Sequence, residues 1–472
     1  MTLINKTGIF VIWMATCILL AGCAGKNSSK WAKAEQTEKE QTEAEQIDWK
    51  SKEWDDEDAL DIPAFYDSRT VGRSPSVKNQ GSLGTCWAFA SLAALEASLL
   101  PEESLDFSED NMSLNKNFFL GQNDGGDYTM SMAYLLSWQG PVLEKEDPYG
   151  DKISPSGLKP AKHVQEIQML EEKDYDAIKQ AVLMYGGVQS SLYTSLKNSQ
   201  SQSEHYNEEK SAYYYDGKEK PNHDSVIIGW DDGFPKENFN SPPPDDGAFL
   251  CMNSWGDKFG DGGCFYVSYY DTNIGIHNIV YTVTEPPDNY DNIYQTDLCG
   301  WIGQMGYGSS ENAVASIPQG SAWFSNVYEA QGDEVLKAVG FYAIGPETSY
   351  EVYVVKDVET AENLKKEKNG GYRLFQNMEK AAGGKKKNMG YYTVLLDKEI
   401  LLDKGERFAV VVKIDSPGQV HPVAIEYDSG DGKCSIDLTD GEGYISLQGD
   451  IWERVEEKQE CNICLKAYTK GK

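Results

Sequence analysis

One cysteine, one histidine and one asparagine stand apart in this 472-residue chain because of the settings they occupy. Cys86 lies in QGSLGTCWAF, residues 80–89, where a glycine-bearing turn meets an apolar run from Trp87 to Leu100 that stops at Pro101. Alanine and leucine dominate the run and favour helix, which puts Cys86 at a helix N-terminus. The free amides and the positive end of the helix dipole stabilise a thiolate there. Gln80, six residues upstream, carries an amide NH2 that can point at the same spot. A thiolate beside a neutral donor is the start of an acyl-transfer site.

Such a site also needs a base, and the base needs something to fix its ring. Of the five histidines, His163 and His205 fall in polar segments, His277 in a turn-like NIGIHN stretch and His421 beside Pro422. His223 differs: in PNHDSVIIGW it sits at the mouth of a strand-like Val226-Ile227-Ile228 run. Asn253, 30 residues on in FLCMNSWGDKFGDGGCFYV, offers an oxygen to an imidazole N–H without adding charge. That segment reads as strand, glycine-rich turn, strand. Trp255 is large enough to shield the Asn–His bond from water, and it is counted with the substrate-binding residues. Taken singly, each has an ordinary reading, a satisfied structural histidine or a hairpin turn.

Together, QG…CWAF, NH-x-S-V and NSWG-x-x-x-G-x-x-G resemble the papain-like cysteine peptidases, whose His and Asn follow the cysteine by about 130–150 residues. Here His223 follows Cys86 by 137 residues and Asn253 by 167. The Pro-rich insertion at 233–247 explains the longer gap and is expected to shape one rim of the cleft. Asp67 and Arg69 in YDSR, then VKNQG, lead into the cysteine loop as in that family, and DPYG (147–150) and GGV (186–188) follow in order. The resemblance covers roughly residues 61–285. It implies an α+β, two-lobed domain, one lobe helical and one β-barrel-like, with a Cys86, His223, Asn253 triad and Gln80 as oxyanion donor. It also implies a substrate lying extended along Gly125-Gly126, where no side chain blocks the approach. Leu83 and Gln122 stand where the family usually carries a disulfide, so packing is expected to replace that bridge.

These residues lead to a cysteine peptidase, endopeptidase in type, working through a thioester acyl-enzyme. No cofactor and no metal is called for. A cell-wall amidase or transpeptidase of the small bacterial type places its Cys and His far closer, so the 137-residue gap argues against it. The alternative is an inactive homologue acting as a surface adhesin or glycan-binding protein. The intact triad residues argue against that.

The N-terminus supplies an address. Lys6 precedes an apolar stretch from Ile9 to Leu20, short for a membrane span and suited to a secretory signal. Leu20-Ala21-Gly22-Cys23 resembles a bacterial lipobox, which implies cleavage before Cys23 and lipid attachment to its thiol. Two acyl chains are enough for stable anchoring. The expected divisions are a signal at 1–22, an acidic tether at 23–60, a peptidase domain at 61–287 and a further domain at 288–472. The tether reaches roughly 100 Å when extended and carries no segment suited to a folded inhibitory propeptide, so no maturation beyond signal removal is expected. A net charge of −32 excludes nucleic acid as a partner. The expected partners are protein or peptide substrates and a membrane, for a monomer on the outer face of the cytoplasmic membrane.

Past TVTEPPDNYDN (282–292) the chain turns β-rich. Tyr350, Val352 and Val354 alternate, and Phe408, Val410, Val412 and Ile414 share a strand face. Short strands with Gly and Asp turns give an all-β sandwich. Its position resembles the lectin-like domain of some bacterial papain-like peptidases, which implies carbohydrate binding; a domain that only packs against the peptidase is the equal alternative. Trp301, Trp323 and Trp452 are candidates for a sugar-stacking platform or for core. GGKKKN (383–388) reads as a solvated loop, and the acidic 427–443 stretch as a turn rather than a calcium site. Cys251, Cys264, Cys299, Cys434, Cys461 and Cys464 remain as buried thiols or disulfides, with Cys251 and Cys264 placed to face each other across a hairpin.

Overall fold

The computed structural model describes residues 61–472 apart from 308–319, 361–362, 364, 368–369, 377 and 431–432. The signal, Cys17, Cys23 and the tether lie outside the described residues.

The Ala/Leu run becomes helix α1 (Cys86–Leu99), and eleven of its fourteen residues are buried. A helix apolar on every side belongs in an interior. Accordingly α1 joins α2 (Glu109–Leu114) and α3 (Tyr128–Leu136) in one core cluster with strands of the opposite lobe. That lobe is antiparallel at its centre. Strands β3 (Val188–Leu192), β4 (His223–Asp231), β5 (Ala248–Met252) and β6 (Cys264–Ser268) pair in that order. β1 (Phe65–Asp67) also pairs with β4, and β2 (His163–Leu170) pairs with β7 (Ile276–Glu285) on the far side of β3. Helix α4 (Tyr175–Tyr185) covers the lobe, capped by the Asp174 carboxylate on the Ala177 N–H at 3.0 Å.

The second half forms strands β8 (Ser321–Glu329), β9 (Glu334–Ala343), β10 (Thr348–Lys356), β11 (Glu379–Lys386), β12 (Met389–Leu402), β13 (Arg407–Asp415) and β14 (Leu465–Gly471). β11, β10, β13 and β8 run side by side in one sheet, and β14, β9 and β12 in another. Leu336, Val339 and Phe341 of β9 pack with Val352, Val410 and Val412 in a shared core, the interior of a sandwich. Sequence gave no sign of how the halves join. β12 pairs antiparallel with β2, Tyr391 opposite Ile167 and Met389 opposite Met169, so one 13-stranded sheet runs through both.

Several expectations are corrected. Residues 383–388 are the end of β11 and the turn into β12, because β11 pairs with β10 along its length. Phe408, Val410, Val412 and Ile414 of β13 share the core face as expected, and its other face is buried too, with Ala409 and Val411 under Tyr372, Tyr444 and Trp452. The three tryptophans form no platform. Trp452 is fully buried with Trp323 packed in the same cluster and stacked on Tyr353, while Trp301 lies tilted against Tyr342 in a different cluster. Cys251 lies opposite Phe265 and Cys264 opposite Met252, so the register turns the two thiols to opposite faces and they cannot bridge. The 233–247 insertion joins the ends of β4 and β5 remote from His223 and Asn253. It therefore lies about 27 Å of strand away from the cleft it was expected to rim.

Candidate active site

Cys86 is the first residue of α1. The preceding Thr85 does not cap the helix. Its hydroxyl is engaged with the Tyr149 hydroxyl at 2.7 Å, and that hydroxyl donates to the Gln80 carbonyl at 3.0 Å. The amides left free are used by the sulfur instead: the N–H groups of Cys86, Trp87 and Asp224 all face it. The residue is half-buried, but its sulfur is deep, and burial, then the Asp224 carboxylate, pushes the thiol up to about 12 against those amides. The N–H groups favour a thiolate at that point, and burial opposes them.

His223 opens β4 and is almost fully buried. Its Nε2 meets the Asn253 Oδ1 at 2.8 Å, and Nδ1 makes no hydrogen bond among the described residues. Burial pushes the imidazole down to about 4, opposed by the Asn253 bond, so it rests neutral. The Trp255 ring lies 4.9 Å from the imidazole and 5.0 Å from Phe259, and it is 5% exposed. It is a lid on the His–Asn bond, with little surface left to meet a substrate.

Gln80 is fixed at both ends of its amide. Its Oε1 accepts from Ser254 Oγ at 2.6 Å and its Nε2 donates to the Leu83 carbonyl at 2.7 Å, leaving one N–H of the NH2 group. Ser254 also donates its backbone N–H to Asn253 Oδ1 at 2.8 Å. One residue thus holds both the orienting asparagine and the donor glutamine, and only its place after Asn253 hinted at it. Tyr149, inside DPYG, is a second residue the sequence did not single out.

The glycine pair sits beside the cysteine loop. A Cβ on Gly84 would meet the Gly125 nitrogen at 3.0 Å, and Gly84 N–H donates to the Gln122 carbonyl at 2.8 Å. Gly125 has φ +80°, and a Cβ on Gly126 would strike the Trp87 indole at 2.5 Å. The glycines are required by local packing as well as by any ligand. Where a disulfide was missing between Leu83 and Gln122, the Gly84 N–H bond to the Gln122 carbonyl ties the two loops, while the Gln122 side chain reaches Asp110 at 2.7 Å and Ser113 at 2.8 Å.

Charged anchors hold the segments together. Lys78 contacts Glu96 and Glu109 at 2.9 Å and Asp106 at 2.7 Å, linking the segment before Gln80 to α1 and α2. Arg69 joins Asp67 at 2.8 Å to Asp261 at 3.0 Å in the turn after Asn253. Chemically, a thiol, a neutral imidazole with a free nitrogen and a set of fixed N–H donors can run acyl transfer.

Residues 62–284 match the model of the papain family cysteine proteases and residues 293–469 that of a lectin like domain. The fold is similar to that of a clostridial cysteine protease, Cwp84, in a cysteine-to-alanine form after propeptide cleavage. The likeness has a TM-score of 0.72 and 26% identity, and covers 86% of this chain and 99% of that one. A structure of the cysteine protease and lectin-like domains of Cwp84, a surface layer associated protein of Clostridium difficile, matches at TM-score 0.71 and 25% identity, covering 88% and 90%. A viral cathepsin of Epiphyas postvittana nucleopolyhedrovirus is 27% identical over 47% of this chain, and mouse cathepsin K is 29% identical over 43%. The chain spans 65% and 58% of those two relatives, less than two thirds of either.

Proposed function

Residues 62–284 are a papain family cysteine protease domain with a lectin like domain behind it, and from that premise we propose that the protein hydrolyses peptide bonds with Cys86 as nucleophile. The observation that carries this reading is the 2.8 Å bond from His223 to Asn253, beside a sulfur that three N–H groups already face. The proton of Cys86 passes to His223 Nδ1 as sulfur attacks the substrate carbonyl. The remaining Gln80 N–H and the Cys86 N–H receive the oxyanion. His223 returns the proton to the leaving amine, and water then cleaves the thioester. Asn253 keeps the ring aligned and Gly125-Gly126 line the extended substrate.

The same reading divides the chain at 287/288 and places it on the cell surface as a monomer, exported by the 1–22 signal and anchored through Cys23. The surface-layer association of Cwp84 supports that address. The lectin like domain is assigned a carbohydrate ligand on its likeness alone. The test is hydrolysis of a mixed fluorogenic peptide library by the full chain and by C86A, under reducing conditions. Cleavage by the wild type that vanishes in C86A is expected. A folded wild type that cleaves nothing overturns the reading.

A further inference from the structure

Six cysteines besides Cys86 lie among the described residues, and all six are buried. Register separates Cys251 from Cys264, and Cys461 and Cys464 pack into different core clusters. Cys299 and Cys434 behave differently. They are 135 residues apart in the chain, yet their side chains lie within hydrogen-bonding reach of each other. Among the described residues no third ligand-type side chain joins them to complete a metal site.

The backbone around the pair explains the meeting. The Cys299 N–H donates to Glu426 Oε2 at 2.7 Å, and the Cys434 thiol reaches the carbonyl of the next residue, Tyr427, at 3.9 Å. Residues 117–119, just past α2, run against both. The Cys299 thiol reaches the Asn117 carbonyl at 3.6 Å, and Asn117 Nδ2 donates to the Leu298 carbonyl at 2.8 Å. Phe118 pairs with Cys434 in an antiparallel bridge, and the Phe119 N–H donates to the Lys433 carbonyl at 2.7 Å. Two segments of the second domain thus converge on one segment of the peptidase domain. That segment continues to Gln122, whose carbonyl holds the cysteine loop, and on to Gly125-Gly126.

We propose that Cys299 and Cys434 form a disulfide that locks the two segments of the second domain where they grip residues 117–119. The step needs an oxidant from outside the chain, a small-molecule or protein disulfide. Thiol–disulfide exchange joins the two sulfurs, and the incoming disulfide takes up two electrons and two protons and leaves as two thiols. The surroundings favour the bridged form. Burial, then the Glu426 carboxylate, pushes the Cys299 thiol up, so a thiolate there is disfavoured while a neutral disulfide is not. A thiol that ionises so poorly is also a slow leaving group, which protects the finished bond from reductant. Both cysteines sit one residue below the surface, beside exposed Leu298, Lys433 and Ser435, so exchange can reach them as the site closes. A bridge across so long a loop constrains the unfolded chain strongly.

The test folds the full chain in a mixture of reduced and oxidised glutathione. The C86A background keeps the proposed nucleophile out of the exchange. The protein is then alkylated in denaturant, digested without reduction and mapped by mass spectrometry. The expected result is one peptide pair joined through Cys299 and Cys434, with Cys251, Cys264, Cys461 and Cys464 alkylated. Oxidised C299A, oxidised C434A and the double variant are expected to melt at one shared temperature, roughly 5–10 °C below the oxidised parent. The peptide map stands without them if they do not fold. Alkylation of both cysteines, a bridge from either to another residue, or folded single variants whose losses add in the double variant overturns the inference. None of these outcomes touches the peptidase reading.

Discussion

Replacing Asn253 by alanine removes the hydrogen bond that orients His223. The bond is 2.8 Å long, both partners are buried, and Trp255 closes it from water, so no solvent molecule takes over the acceptor role without displacing the indole. Losing one partner of such a buried bond costs about 1–3 kcal/mol. If the loss falls on alignment in the transition state, each 1.36 kcal/mol is tenfold in rate, so kcat/KM drops about 5- to 150-fold. Because Asn253 does not line the glycine edge, the loss appears in kcat with KM little changed. A second consequence follows from the lid position of Trp255. W255A lowers kcat in the wild type but adds little in N253A, because its role is to protect a bond that is then absent. The assay is steady-state hydrolysis of one fluorogenic peptide by the four proteins of the double-mutant cycle, with active sites counted by thiol titration. An N253A enzyme within twofold of wild type, or fully additive losses, refutes this account of the site.

Other perturbations probe the supports. K78M leaves Glu96 and Glu109, 2% and 1% exposed, without their cation, and a broken buried pair of this kind costs about 3–5 kcal/mol; urea unfolding measures it, and an unchanged midpoint contradicts the anchoring role. Truncation after residue 287 uncovers the β2 edge now paired with β12, so that fragment is expected to aggregate while the full chain stays monodisperse by light scattering. His223 sits at about 4, below its ordinary 6.5, so the folded state binds fewer protons than the unfolded one between those values. Stability therefore falls as pH drops from about 6.5 to about 4. In the C86A background this loss should shrink in C86A/H223Q, and equal losses in the two contradict a buried neutral imidazole.

The chemistry-bearing residues were legible because their settings are local. A cysteine at the head of an Ala/Leu helix and an asparagine in a glycine turn announce themselves in short windows. The peptidase-like fold followed from their resemblance, and the sandwich from alternating strands such as β10. What sequence did not carry was set by pairing partners far along the chain. The β2–β12 pairing joins residues more than 200 apart, and nothing in HVQEIQML says which strand will meet it. The stretch at 383–388 looked like a loop because lysines and glycines are poor strand formers, yet β10 supplies the ladder for residues 383–386. The Cys251–Cys264 pairing failed by a single register step, which periodicity alone cannot fix. Ser254 was missed because it stands next to a residue already chosen, and only its side-chain direction shows that it holds Gln80.

The central claim is that Cys86 is a nucleophile served by His223. It is tested most directly by treating the folded full chain with a peptidyl epoxide inhibitor at neutral pH and mapping the adduct by mass spectrometry. The account predicts a single stoichiometric adduct on Cys86 that forms far more slowly in H223A, with the buried thiols untouched. An unmodified Cys86, an adduct on another cysteine, or equal labelling rates in wild type and H223A would contradict it.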